Sequence, residues 1–455
     1  MGQNTQQRHE DGETVRLAKF CTGLEYESLD DEVIEAAKKA LVDTLAAAYA
    51  GIDTEPGERI LSYVDQYDSG EATVIGNESA PPAQFAALAN GTLAHALDVD
   101  DGHRSAAGHP GSAVIPAALA TAEKTNASGT ELITAIVAGY EGMVQTAKSV
   151  QTSHRERGFH ATATCGCFGA AAAVSCILDL DETETAHAIG LAGTQAGGLF
   201  EFLEKGSMAK RFHPGRAAMA GILAGELAAT GFDGPDTIIE GKDGFARAFT
   251  DEYDLEPFEN LGDPFSVTEN YLKAFPCCRH IHGPIEAVQT IRDEGVTAAD
   301  VESIRVETYG TASHHDKKTV ENLLDTQMSI PYGVAVALVT GSAKLAQFDP
   351  SNADNPEINA LIDNVDVVKT DEMEAIYPET RPARVVVTLH SGEQYEEVVK
   401  YPLGAPEKPL SREQIEEKFH DITGAALSEA QRETIIENAF SITEYDSVAT
   451  FTESL

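Results

Sequence analysis

Between Asn90 and Pro116 the chain reads NGTLAHALDVDDGHRSAAGHPGSAVIP, which gathers Asp98, Asp100, Asp101, His103, Arg104 and His109 among glycines and a proline. Imidazoles exchange protons near neutral pH, and carboxylates orient them or act as bases where burial makes them basic enough. Apolar, alanine-rich text flanks the window on both sides. An ordered loop gripped by two helices is expected, a common place for chemistry. The alternative is a solvated turn whose histidines cap helix ends. Two further windows are cationic. GSMAKRFHPGRAAMAG, from Gly206 to Gly221, packs Lys210, Arg211, His213 and Arg216 into seven residues. YLKAFPCCRHIHG, from Tyr271 to Gly283, holds Lys273, Arg279, His280 and His282. In the first, an anion site at the start of a helix beginning near Arg216 is expected; the competing reading is a surface patch pairing with nearby acids.

Metal-like groupings are weaker. Cys165-x-Cys167 and Cys277-Cys278 lack the usual C-x₂-C spacing of zinc sites, and cysteine in a small-residue helix acts as a small apolar residue. Asp98, Asp100 and Asp101 resemble a magnesium cluster, with capping and pairing to Arg104 as the alternative. His314-His315-Asp316 reads as a solvated loop. No metal site is expected.

The elements that must carry these windows follow from composition and period. The 455 residues exceed one compact core, so two domains are expected. Abundant alanine and glycine with few aromatics favour closely packed helices. Acids outnumber bases 74 to 32, a formal net charge of -42 spread along the chain. That charge excludes nucleic acid and anionic membranes as partners and suits a hydrated surface in a salt-rich cytosol. Six cysteines in so long a chain do not make a disulfide scaffold. The polar start MGQNTQQRHEDGE is expected to be disordered and has no signal-type apolar core. No apolar run approaches the ~20 residues that span a bilayer, so a soluble cytoplasmic protein is predicted.

Ser28 to Gly51 is predicted as a helix, with Ser28 and Asp31 at capping-box spacing and an apolar stripe along its length. Helices follow near 56–67, into the first window, and near 112–125, 129–151 and 160–178, then one opened by the acids Asp181 to Glu184. After about residue 268 the texture changes. Val301 to Tyr309 alternates as a strand, 325–341 reads as a helix, and Val365 to Val368 as a short strand. Arg384 to Leu389 and Gln394 to Val399 flank Ser391-Gly392 as a hairpin. From Ser411 the text is helical again, with Gln414 completing a capping box. The fold class is mainly α: a large all-helical domain over 14–268 and 404–455, with a smaller α/β (α+β) domain over 269–403 inserted late in the chain.

AHALDVDD with HPGSAVIPAALA, the Gly158-Phe159-His160 step before a small-residue helix, GSMAKRFHPGRAA and KAFPCCRHIHGPI occur in one order and spacing. In these four windows, and over nearly its whole length from about Ala18, the chain resembles the MmgE/PrpD family, which includes 2-methylcitrate dehydratase, cis-aconitate decarboxylase and iminodisuccinate epimerase. The resemblance implies a homodimer and a metal-free, cofactor-free site between the domains. It implies catalytic roles for Asp98, His109, His160, Lys210, Lys273 and Tyr332. His213, Cys278, Arg279, His280 and His282 are the substrate-binding candidates. The decarboxylase pattern has a threonine where Gly102 stands and a histidine where Cys278 stands, and here the interval from Asp98 to His109 is one residue longer.

The family's substrates are small di- or tricarboxylates. Their reactions build negative charge beside a carboxylate, which fixed donors and cations in a dry cleft must hold. His160 and His109 are expected to be the proton carriers, in either order. Asp98 would orient a histidine or act as a base, and Tyr332 would donate to a carboxylate or a leaving oxygen unless it is a packed core tyrosine. Arg279 is expected either to clamp a carboxylate or to form a structural ion pair. The leading expectation is a metal-independent lyase most like 2-methylcitrate dehydratase. An epimerase or racemase of an amino- or imino-dicarboxylate comes next, then a decarboxylase. Outside that class stand a metal-dependent hydrolase and a non-catalytic carboxylate-binding protein.

Overall fold

A computed structural model describes residues 12–455 apart from 68, 71, 205 and 206. The residues before Gly12, expected to be disordered, and Gly206 at the start of the second window lie outside the described residues. The chain forms two compact units, one comprising the chain through Tyr271 together with Ile415–Leu455, the other Leu272–Gln414.

The large unit is built from α1 (Glu13–Gly23), α2 (Asp31–Gly51), α3 (Ala83–Ala94), α4 (Pro110–Thr125), α5 (Gly129–Val150), α6 (Ala161–Thr164), α7 (Gly166–Ile177), α8 (Glu182–Gly193) and α9 (Ala209–Ala229). Its core is lined by small residues: Ala83, Ala86, Ala87, Ala117, Ala120, Ala170 and Ala218 pack with Val174 and Ile222. With so little side chain between them, backbones come close. A Cβ at Gly91 in α3 would lie 2.7 Å from the Cα of Gly215 in α9, and one at Gly215 would lie 2.1 Å from the Leu88 carbonyl oxygen. This crossing needs glycine on both helices. A short ribbon of β1 (Gly102–His103) and β2 (Asn270–Tyr271) interrupts the helices, paired antiparallel with Gly102 opposite Tyr271. The chain's last helices return here: Lys418 contacts the Asp43 carboxylate of α2 at 2.5 Å and donates to the Val99 carbonyl at 2.7 Å.

The smaller unit carries a sheet ordered β4-β3-β5-β6, from β3 (Val301–Thr308), β4 (Val365–Lys369), β5 (Ala383–Leu389) and β6 (Gln394–Val399). β3 and β4 run parallel and the other pairs antiparallel. The hairpin turns at Gly392, whose φ of 86° suits glycine. Ile304 and Val306 of β3 and Val385 and Val387 of β5 pack against Ile281, Ile285 and Val288 of α10 (Arg279–Asp293) and the apolar face of α11 (Ile330–Thr340).

Local expectations failed where a nearer partner won. Ser28 does not cap α2; it closes a 3₁₀ turn with its hydroxyl on the Glu25 carbonyl, and Asp30 occupies the cap position. The helix predicted over 160–178 breaks at Cys165. The one over 325–341 breaks after Gln327, and Ser329 caps the second part through the Tyr332 amide at 3.0 Å. Pro331 in that first turn has no N–H to continue a helix. The capping box of Ser411 and Gln414 forms in both directions, at 3.0 and 3.2 Å.

Candidate active site

The glycine crossing of α3 and α9 places the first turn of α9 beside the end of α3. Arg211 there donates to the carbonyl of His95, the residue that closes α3, at 3.1 Å. One residue earlier, the Lys210 ammonium lies 3.0 Å from the Asp98 carboxylate. Both are nearly buried, and Asp98 holds a left-handed backbone, φ 59°, a conformation aspartate tolerates at modest cost. α9 starts at Ala209, so no helix begins near Arg216. Arg216 lies two turns in and turns away: it donates to the Cys167 sulfur at 3.2 Å and to the Gln195 carbonyl. The anion site expected at its helix start is therefore not formed there.

The loop from His95 to His109 folds on its own carboxylates. His95 Nδ1 meets Asp100 at 2.8 Å, and His109 Nδ1 meets the Asp101 carbonyl at 2.6 Å with Asp100 at 3.4 Å. A carbonyl only accepts, so Nδ1 of His109 carries the hydrogen and the lone pair of the neutral ring lies on Nε2. Asp101 anchors the loop to three elements: it accepts from Tyr140 of α5 at 2.6 Å, from Asn270 of β2 at 2.5 Å and from the Gly111 amide of α4 at 3.0 Å. Burial nevertheless pushes its pKa up to about 7, against those donors and with Asp100 and Asp43 adding repulsion. His103 leaves the group: it accepts from the Ala106 amide at 3.2 Å and lies 3.7 Å from Glu269.

His160, at the start of α6, and His213 in α9 share an Nδ1–Nδ1 hydrogen bond of 2.8 Å. Phe200 and Phe202 stand edge-on to the His160 ring, at 4.8 and 5.5 Å. Burial first, then the neighbouring His213, His95, Lys210 and His109, hold His160 well below an ordinary imidazole pKa. His213 is lowered to about 4, by burial and by Arg216 and Lys210. Both rings are thus neutral at neutral pH. His160 and His95 centroids are 6.3 Å apart and His95 and His109 4.6 Å, so four imidazoles form a continuous row beside the Lys210–Asp98 pair. Of the candidates expected in this unit, Asp98, His109, His160, Lys210 and His213 come together. His95, which the sequence does not single out, joins them with Asp100, which the sequence marks only within a magnesium-like cluster.

In the smaller unit the candidates part company. Lys273 is buried. Arg279 donates to the Leu403 and Pro402 carbonyls at 2.7 and 2.8 Å and contacts His282 Nδ1 at 2.9 Å, which makes it a chain clamp. His282 is fully buried, with Nε2 3.3 Å from the Cys277 carbonyl. Tyr332 is the core tyrosine: its hydroxyl donates to the Gln347 carbonyl at 2.5 Å. Cys278 and His280 face His315, bringing one sulfur and two ring nitrogens within 4.8 Å of one another.

Residues 15–257 match the model of the MmgE/PrpD N-terminal domain and residues 275–442 that of the MmgE/PrpD C-terminal domain. The chain belongs to the MmgE/PrpD family. Among its relatives, a cis-aconitate decarboxylase of Aspergillus terreus is 28% identical over 98% of this chain and 96% of its own length. The cis-aconitate decarboxylase of Mus musculus is 26% identical over 93% and 89%. The 2-methylcitrate dehydratase of Escherichia coli is 26% identical over 87% and 86%.

In this MmgE/PrpD member, donor atoms of His95, Asp98, Asp100 and His109 also lie within 4.8 Å of one another, a spacing that could hold a cation. Lys210 already presents a positive charge to Asp98 and would repel a dication there. Among the described residues no helix is long and apolar enough to cross a membrane. Gly102 marks a local constraint: a Cβ at that position would lie 2.4 Å from the Tyr271 hydroxyl, so Tyr271 fills the space a larger residue would need.

Proposed function

We propose that the protein is a lyase of small tricarboxylates that eliminates across a bond next to a carboxylate, with loss of water from a 2-methylcitrate-like hydroxy acid as its leading reaction. The observation that carries this reading is the neutral, buried His160–His213 pair, set in a row of four imidazoles beside the Lys210–Asp98 pair. Dehydration needs an acceptor for the proton alpha to the carboxylate, a donor for the departing oxygen, and a cation for the enolate-like charge between them. His109 is the base: the Asp101 carbonyl fixes the ring hydrogen on Nδ1, which makes Nε2 the basic nitrogen. His160, held by His213, offers a neutral N–H to the leaving oxygen. Lys210 stabilises the developing charge, and Asp98 fixes the position of its ammonium. The His95–Asp100 pair backs His109 from the loop side.

Decarboxylation of a cis-aconitate-like acid is the second reading. It is supported by decarboxylase relatives that align over almost the full chain. It would draw on the same cation and replace carbon dioxide by a proton at the same carbon. One proton-NMR experiment separates the outcomes: purified protein is given 2-methylcitrate or cis-aconitate in deuterated buffer. An unsaturated acid formed with loss of water supports dehydration. Itaconate-like product from cis-aconitate supports decarboxylation instead. Deuterium exchange without loss of water or carbon dioxide would point to an epimerase, and no change in either acid with folded protein would remove the lyase reading.

A further inference from the structure

We propose that Cys278 is a reactive thiol, activated by His315, and that it is a modification site for soft carbon electrophiles that carry a negative charge. The cluster has the order nucleophile, base, orienting group. The Cys278 sulfur lies 3.9 Å from His315 Nε2, and His315 Nδ1 lies 3.1 Å from the Met328 carbonyl. The carbonyl accepts, so Nδ1 carries the hydrogen and Nε2 is turned toward sulfur to take its proton. His280 stacks on His315 with centroids 5.4 Å apart and is tied by Nδ1 to the Tyr309 hydroxyl. Arg381 and Arg279 both act on His280, so the surroundings are electropositive. Cys278 also occupies the cap position of α10, at the positive end of fifteen aligned residues. Burial works against a protonated His315, yet its contacts with Cys278 and with the Met328 carbonyl hold its pKa above the ordinary value. A partly buried cysteine among cations, paired with an imidazole, is the environment in which thiols react.

The other cysteines differ. Cys165, Cys167 and Cys277 are fully buried, and burial raises the thiols of Cys165 and Cys167 to about 12 and about 11. Cys21 is buried, and Cys176, though less so, donates to the Cys21 carbonyl at 3.5 Å. With an α,β-unsaturated carboxylate the step balances without an oxidant. Sulfur bonds to the β-carbon, the π pair moves to the α-carbon, and that carbon takes the proton held by His315. The proposal stands on this cluster alone and does not depend on the lyase reading.

The test treats the full-length protein at neutral pH with limiting iodoacetate, in which sulfur bonds to carbon and iodide leaves with the bond pair. Peptide mass spectrometry then follows each cysteine. Cys278 is expected to react at least about tenfold faster than Cys176, and His315→Asn to remove at least about tenfold of that rate while Cys176 is unchanged. Iodoacetamide, the neutral analogue, keeps the test open should His315→Asn fail to fold: in the natural protein the iodoacetate-to-iodoacetamide rate ratio should be higher at Cys278 than at Cys176. Equal rates at the two cysteines, an equal or lower ratio at Cys278, or a folded His315→Asn protein that labels as fast as the natural one would overturn the proposal. So would labelling that appears only after a chelator is added, because the same three donors would then be holding a metal.

Discussion

Tyr140→Phe probes how the loop from His95 to His109 is held. The change removes one hydroxyl, the donor 2.6 Å from Asp101, where both side chains are fully buried. Losing a hydrogen bond to a charged group costs about 1.5–3 kcal/mol, and to a neutral one about 1 kcal/mol. Asp101 switches between those regimes within an accessible range, because burial puts its folded pKa at about 7. A carboxyl whose folded pKa is raised favours the fold below its unfolded value of ~3.9, and that contribution is lost as pH climbs through the folded pKa. Without Tyr140, Asp101 should hold its proton about one to two units higher, since one unit is ~1.36 kcal/mol. At about pH 5.5 Asp101 is protonated with or without Tyr140, so the variant should lose only ~1 kcal/mol, whereas at about pH 8.5 the loss should reach ~2–3 kcal/mol. With roughly 2 °C of Tm for each kcal/mol in a protein of this size, the gap in melting temperature should at least double between the two pH values. Parallel thermal melts of both proteins measure it. A gap that is constant, or larger in acid, would refute the view of Asp101 as a buried, titrating anchor.

Lys210→Met should lower kcat/KM on the productive tricarboxylate by about 10²–10³, because it deletes the cation at the developing charge, and full activity in steady-state assays would exclude Lys210 from the chemistry. The same change leaves Asp98 buried without its cation, so a drop in stability of about 3 kcal/mol, or uptake of a proton by Asp98, should accompany it in denaturant titrations. Gly215→Ala should cost about 3 kcal/mol or more and reduce activity with it, since the new Cβ would meet the Leu88 carbonyl at 2.1 Å; a melting temperature within a degree of the natural protein's would show that the helix crossing can open freely. Raising sodium chloride from about 0.1 to 2 M should raise Tm by several degrees, because screening relieves repulsion within a chain of net charge -42; a Tm that falls would count against a salt-adapted surface.

What could be read from the sequence depended on whether the signal was local. Asp98, His109, Lys210 and His213 stand out because polar groups crowd into short windows, His160 is marked only by the family resemblance, and the small residues around them announce tight helix packing. The hairpin at Gly392 and the capping box at Ser411 follow from four or five adjacent residues. Tyr140 carries no such signal, His95 sits at the apolar edge of its window, and His315, legible only as part of His314-His315-Asp316, meets Cys278 only after the chain has folded back 37 residues. The errors have the same origin. Spacing alone does not say which way a side chain turns. The sequence leaves Arg279 open between a carboxylate clamp and a structural ion pair, and Tyr332 between a donor and a packed core residue. In the fold the Pro402 and Leu403 carbonyls engage Arg279, while the Gln347 carbonyl engages Tyr332. Near Arg216 the arginine was legible but the helix start was not, because Pro214 lies inside α9 rather than ahead of it.

Lys418 supports the His95–His109 loop through the Val99 carbonyl, across a separation of 319 positions. On the ribosome, most of the protein is therefore made before this strut exists. A truncated translation product that stops before Lys418 would lack this contact to Val99, the residue between Asp98 and Asp100. The loop therefore takes its full set of contacts only late in synthesis, after the smaller unit has been made.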